Sequence, residues 1–112
     1  MAVVRIEGLP AGALEAAAAF HVEWLPRLIP PFADEDLVLA FPPADHTHRG
    51  WRLAAVQGLA RALAPLRVNA FASDNEAAIA AALRYLDAAP GVTGQLLPLD
   101  GAGAGAVIRA GQ

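Results

Sequence analysis

The chain has 112 residues, 56% of them hydrophobic and 17% charged, with a formal charge of −3. This is the length of one domain, able to bury roughly 65% of the surface exposed by the unfolded chain, and the apolar excess excludes intrinsic disorder. Lysine is absent and the 8 arginines form no run, which excludes a phosphate-tracking surface and hence nucleic acid as a partner; the lack of cysteine excludes disulfides, a thiolate nucleophile and Cys-bound metal.

Ala2-Val3-Val4-Arg5-Ile6, closed by Gly8 and Pro10, reads as a strand. It has neither the basic nor the apolar region of a leader, and no apolar run approaches the ~18 residues of a membrane span, so a cytoplasmic location and no membrane partner are expected. From Ala11 to about Leu25 the pattern turns helical, with Leu14, Ala17, Ala18 (or Phe20), Val22 and Leu25 as the expected inner face. Pro26 lacks an amide donor and is expected to end or kink this helix, and Pro30-Pro31 reads as a stiff connector. Leu37-Val38-Leu39-Ala40-Phe41 is apolar at every position, the mark of a strand covered on both faces in a parallel sheet.

Pro42 to His48 forms a loop at the carboxyl end of that strand. A second helix is expected from about Gly50 to Ala64, with Leu53, Val56, Leu59, Ala60 and Leu63 on its inner face and Pro65 as its stop. Arg67 to Ala72 is the third strand. Ser73 or Asp74 offers an N-cap for a third helix reaching about Ala89, with Ile79, Ala82, Leu83 and Leu86 as its apolar stripe. Gln95 to Leu99 is a fourth strand, at an edge because Pro98 cannot donate to a ladder. Asp100 reads as a turn former, residues 101–112 as a flexible Gly/Ala-rich segment, and Ala106 to Arg109 as a further short strand within it. The order βαβαβαβ makes the chain a single α/β domain with a mostly parallel sheet of about four strands and three helices.

The densest polar cluster is Asp45-His46-Thr47-His48-Arg49, at a strand's carboxyl end, where open α/β sheets place ligands. His46 and His48, with Asp45 and Arg49 beside them, are the candidates for a general base, and the two histidines for metal ligation. The plainer alternative is a solvated loop in which Asp45 or Thr47 caps the second helix. His21 is expected at the surface, Trp24 in the core or an interface, and Asn69 in a buried structural role that demands hydrogen-bond partners.

From Trp51 onward the chain resembles the carboxyl-terminal part of short-chain dehydrogenases/reductases, over residues 51–103. Ala54-Ala55-Val56-Gln57-Gly58-Leu59-Ala60-Arg61-Ala62-Leu63-Ala64-Pro65 is similar to that family's long central helix, Arg67-Val68-Asn69-Ala70 to the following strand, and Ala88 to Gly101 to its last helix end, strand and turn. The resemblance implies a small Rossmann-like fold and a truncated, degenerate member. Its chemistry is not carried over. The first turn, Glu7-Gly8-Leu9-Pro10-Ala11-Gly12, lacks the glycine spacing that seats a dinucleotide pyrophosphate, and Gly101 to Gly105 follows the last clear strand with no helix to come, so no cofactor is expected. The family's catalytic Tyr and the Lys four residues on align with Pro43 and Thr47 in one register and with Arg49 and Leu53 in another; the single tyrosine, Tyr85, lies in the third helix. The resemblance thus points to a domain without reductase activity.

With strands in sequential order, right-handed crossovers would place all three helices on one face and leave the other as an apolar patch. A self-associating domain, a homodimer or a scaffold for a protein partner, is the leading expectation. A small-molecule or metal-binding protein or residual enzyme using the 45–49 loop is the alternative.

Overall fold

The computed structural model describes residues 1–29 and 34–99. Within them the chain runs β1 (Ala2–Arg5), α1 (Ala13–Ala19), a π-helical turn (Phe20–Trp24), α2 (Leu25–Leu28), β2 (Leu37–Phe41), a 3-10 turn (His46–His48), α3 (Arg49–Ala62), β3 (Val68–Ala72), α4 (Glu76–Ala88) and β4 (Leu96–Pro98). The sheet has the order β1-β2-β3-β4, and every neighbouring pair is parallel. Pro98 therefore sits on an edge strand. The Pro30-Pro31 connector, the Asp100 turn and the segment from Gly101 onward lie outside the described residues. Among the described residues no helix is long and apolar enough to cross a membrane.

The sheet is buried on both faces, as the unbroken apolarity of Leu37 to Phe41 predicts. On one face Leu37, Leu39, Phe41, Val68 and Ala70 pack with Phe20, Leu28, Val56 and Leu59. On the other, Val38, Ala40 and Phe71 pack with Ile79, Ala82 and Leu86 of α4. All three helical crossovers on one face is therefore not what forms. In a parallel sheet of sequential order, helices on opposite faces mean crossovers of opposite hand, so the β3–α4–β4 connection reverses the sense of the first two. Covering Val38, Ala40 and Phe71 outweighs the usual preference of crossover hand. What stays bare on that face is β1, where Val3 and Met1 remain exposed.

The first helical run corrects the expected inner face. Its buried residues are Ala16, Phe20 and Leu28, while Leu14 is 81% and Val22 74% exposed. An alanine tract offers little hydrophobic contrast, and the face that packs inward is the one that carries Phe20 and Leu28. Pro26 does not end the run. The preceding turn widens to a π geometry in which the Leu25 N–H donates to the Phe20 carbonyl, and Pro26 falls in the first turn of α2, where its missing donor and its ring are accommodated. The cap of α4 is also displaced from the expected Ser73 or Asp74: the side chain of Asn75 accepts from the Ala78 N–H, and Ser73 Oγ accepts from the Asn75 N–H.

Two polar clamps fasten the amino-terminal end of the sheet. Asn69, buried as expected, donates through Nδ2 to the Val92 carbonyl and accepts from the Gln95 N–H, tying β3 to the chain entering β4. Arg67 pairs with Asp36 at 2.9 Å and donates through Nη1 to the carbonyls of Leu86 and Ala89, joining the start of β2 and β3 to the end of α4. The Asp36 carboxyl is held below its ordinary value, chiefly by the Arg67 backbone N–H that donates to it, with the guanidinium adding to the effect.

Replacing Arg67 with Ala is expected to lower stability by about 2–3 kcal/mol, because it strands a carboxylate and two carbonyls. Since the folded-state pKa of Asp36 is depressed, its contribution is present at neutral pH and lost as pH falls through that lowered value. The stability gap between wild type and Asp36→Asn in urea unfolding should therefore narrow toward acid. A gap independent of pH would contradict the assignment.

Candidate functional site

The carboxyl ends of β1, β2 and β3 open onto the loop from Pro42 to His48, and the polar cluster of the sequence is assembled there. The cluster divides into surface and interior. Asp45 is exposed and caps the 3-10 turn, accepting from the Thr47 N–H at 2.9 Å and from the Thr47 hydroxyl. These hydrogen bonds, the hydroxyl's above all, hold its carboxyl below the ordinary value. His46 is exposed, and Arg49 is exposed at the first position of α3.

His48 is buried, and both ring nitrogens are engaged. Nε2 lies 2.9 Å from the Ala11 carbonyl, and Nδ1 receives the Trp51 indole N–H at 3.1 Å. A carbonyl only accepts and an indole N–H only donates, so the ring carries its proton on Nε2. In this arrangement His48 pins the loop after β1 to the start of α3 and has no lone pair free for a metal ion or a substrate proton. Among the described residues no group of three or more His, Asp or Glu side chains is placed to hold a metal ion. His21 is exposed, its Nδ1 2.8 Å from the Ala17 carbonyl, and Trp24 packs partly buried against the core. Tyr85 lies on α4, the helix that covers the opposite face from α3.

The residue that sequence reasoning missed is Arg52. It is only 5% exposed. Nη1 donates to the Pro42 carbonyl at 2.9 Å, while Nε is buried without a hydrogen-bond partner. The guanidinium carbon lies 4.6 Å from the centroid of the Phe41 ring and 5.8 Å from that of Trp51, cation–π contacts that offset part of its desolvation. Among the described residues no carboxylate lies within ion-pair distance of it. Burial pulls its pKa down, yet an arginine keeps its charge at neutral pH. The signal was present in the spacing: Arg52 shares the buried stripe of α3 with Ala55, Val56 and Leu59, a cation where the helical period calls for an apolar side chain.

Two clefts border Arg52. One, of about 300 Å³, lies between the loop after β1 and the loop after β2, with Gly8, Pro10, Pro43 and His48 in its walls. The other, of about 180 Å³, runs toward β4 and is walled by Ala72, Leu96, Leu97 and Pro98, with Arg49 and Asp45 also in its lining. A site at the carboxyl ends of parallel strands, with one buried cation and partly apolar walls, is suited to hold a small anion.

A family model described as short chain dehydrogenase-like protein (SDR-like) matches residues 4–99. No curated protein matches the chain, and no solved structure does.

Because His48 is a packed, doubly bonded side chain and His46 is exposed, their alanine variants should separate. His48→Ala is expected to lose about 1–3 kcal/mol in chemical denaturation and His46→Ala to stay within about 0.5 kcal/mol of wild type. Equal losses would show that the loop is not held through His48.

Proposed function

The chain belongs to the short chain dehydrogenase-like family, whose model covers residues 4–99, and on that footing we propose that it acts as a non-catalytic, self-associating domain. The non-catalytic part is supported by the residues at the positions of the family's catalytic pair, Arg49 and Leu53 or Pro43 and Thr47, none of which supplies the phenol and ammonium of that chemistry. Self-association is supported by the outer surface of the first two crossover helices.

Leu14 and Val22, 81% and 74% exposed, stand on the outside of the α1–α2 run. Between that run and α3 lies a groove of about 240 Å³ lined by His21, Leu25, Ile29, Ala54, Gly58 and Ala62 among others. Ala54, Gly58 and Ala62 recur every fourth residue and line one side of α3. A Cβ built on Gly58 would meet nothing within 4 Å, so nothing inside one copy requires glycine there. Protruding apolar side chains and a shallow groove of small residues on one surface are what a two-fold, self-complementary contact uses. The alternative reading, ligand binding at the 45–49 loop, is favoured by Arg52 and not by the two histidines.

Light scattering coupled to size-exclusion chromatography should show a dimer at micromolar concentration. Gly58→Leu should shift it to monomer while leaving the monomer as stable as wild type or about 0.5–1 kcal/mol more so, because leucine is the better helix former and the space is open. A wild-type monomer at about 100 μM, a concentration that would populate even micromolar-affinity dimers, would overturn self-association. A Gly58→Leu dimer of unchanged affinity would place the contact elsewhere.

A further inference from the structure

We propose that Arg52 anchors a binding site for a small organic acid, with the ligand's carboxylate on the guanidinium and its apolar body against Ala72, Leu96 and Pro98. This is independent of self-association, which uses the outer side of α1–α2 and α3.

The first ground is the state of Arg52 itself. It is 95% buried, and within the described residues it meets one carbonyl and two aromatic rings but no carboxylate. A buried cation without a counter-ion costs several kcal/mol, and one neutral acceptor with cation–π contact recovers only part of that. If Arg52 served only to fill the stripe of α3, an unbranched apolar side chain such as methionine would do so at lower cost. An incoming carboxylate supplies the missing partner through charge-assisted hydrogen bonds, in a setting where water competes poorly.

The second ground is the shape and chemistry of the space it borders. Arg52 lines two of the clefts at the carboxyl end of the sheet. Its position in the first turn of the 14-residue α3 adds the positive end of that helix's dipole, and Arg49 is a second basic residue in the lining of the smaller cleft. Asp45, in the same lining, has its carboxylate engaged by Thr47. The far wall is hydrocarbon. An anionic head and an apolar body complement both ends, whereas inorganic phosphate would leave the Ala72, Leu96 and Pro98 wall unused. The smaller cleft, about 180 Å³, accommodates a body of about six to eight non-hydrogen atoms at protein packing density.

Hexanoate, with hexanamide and inorganic phosphate as comparators, tests this on the intact chain by NMR titration. The Trp51 indole N–H serves as a probe because its ring is 5.8 Å from the guanidinium carbon. Hexanoate should give saturable shifts at Trp51 and along residues 96–98 with Kd of about 1 mM. Hexanamide should bind at least about tenfold more weakly. Arg52→Met, which keeps an unbranched apolar stem and removes the guanidinium, should lose hexanoate affinity by a similar factor. The proposal is overturned if hexanoate gives no saturable shift up to about 50 mM, if the amide binds as well as the acid, or if phosphate binds more tightly than hexanoate. Unchanged hexanoate binding by Arg52→Met overturns it as well. Should Arg52→Met fail to fold, the acid–amide comparison on wild type decides alone.

Discussion

All five residues of β2, Leu37 to Phe41, are buried, and a strand that is apolar on both faces has to be covered on both. Much of the architecture answers to that demand. Phe20, Leu28, Val56 and Leu59 close one face, and α4 crosses to the other to set Ile79, Ala82 and Leu86 against Val38, Ala40 and Phe71. A connection of the rarer hand is accepted because a bare central strand would leave more hydrocarbon in water than the crossover preference saves. β1, at the edge, is covered on one face only, with Ala2 and Val4 packed inward and Val3 left at the surface.

The two ends of the sheet are treated differently. At the amino-terminal end the polar groups are paired: Arg67 meets Asp36 and two helix-end carbonyls, and Asn69 and Thr93 satisfy backbone groups between β3 and the segment leading to β4. At the carboxyl-terminal end the loops diverge, clefts open between them, and Arg52 keeps a buried nitrogen without an acceptor. Incomplete pairing falls where parallel sheets bind ligands, and the tightly fastened opposite end permits that cost.

The candidate site was half legible in the sequence. The loop was recognisable because a polar run following a buried strand has nowhere to go except the sheet's carboxyl end. The roles within it were not, because spacing says nothing of which ring turns inward. His46 and His48 differ by two positions and belong to opposite environments: one is in solvent, the other is held between Ala11 and Trp51. Arg52 could have been noticed as the one charge on the inner stripe of α3, but only the packed structure shows that Phe41 and Trp51 accept its guanidinium and that, among the described residues, no carboxylate follows it in. The first helix misled for a related reason. Its alanines give no amphipathic contrast, so the choice between Leu14 and Phe20 as inward residue was made by the volume available beneath them.

What the sequence determined by itself is the alternation of strands and helices, the parallel sheet, the edge position forced by Pro98, the structural burial of Asn69 and the kinship carried by Ala54 to Pro65, Arg67 to Ala70 and Ala88 to Gly101. These are local or nearly local properties: periodicity, missing donors, turn chemistry and ordered motifs. Only the tertiary structure decided which face α4 covers, which side of the first helical run points outward, how the Pro26 turn widens, and which polar side chain at the carboxyl end of the sheet is buried with a nitrogen left unpaired. Each of those depends on the volume and hydrogen-bonding capacity of residues distant in the chain, and no pattern read along a single segment contains them.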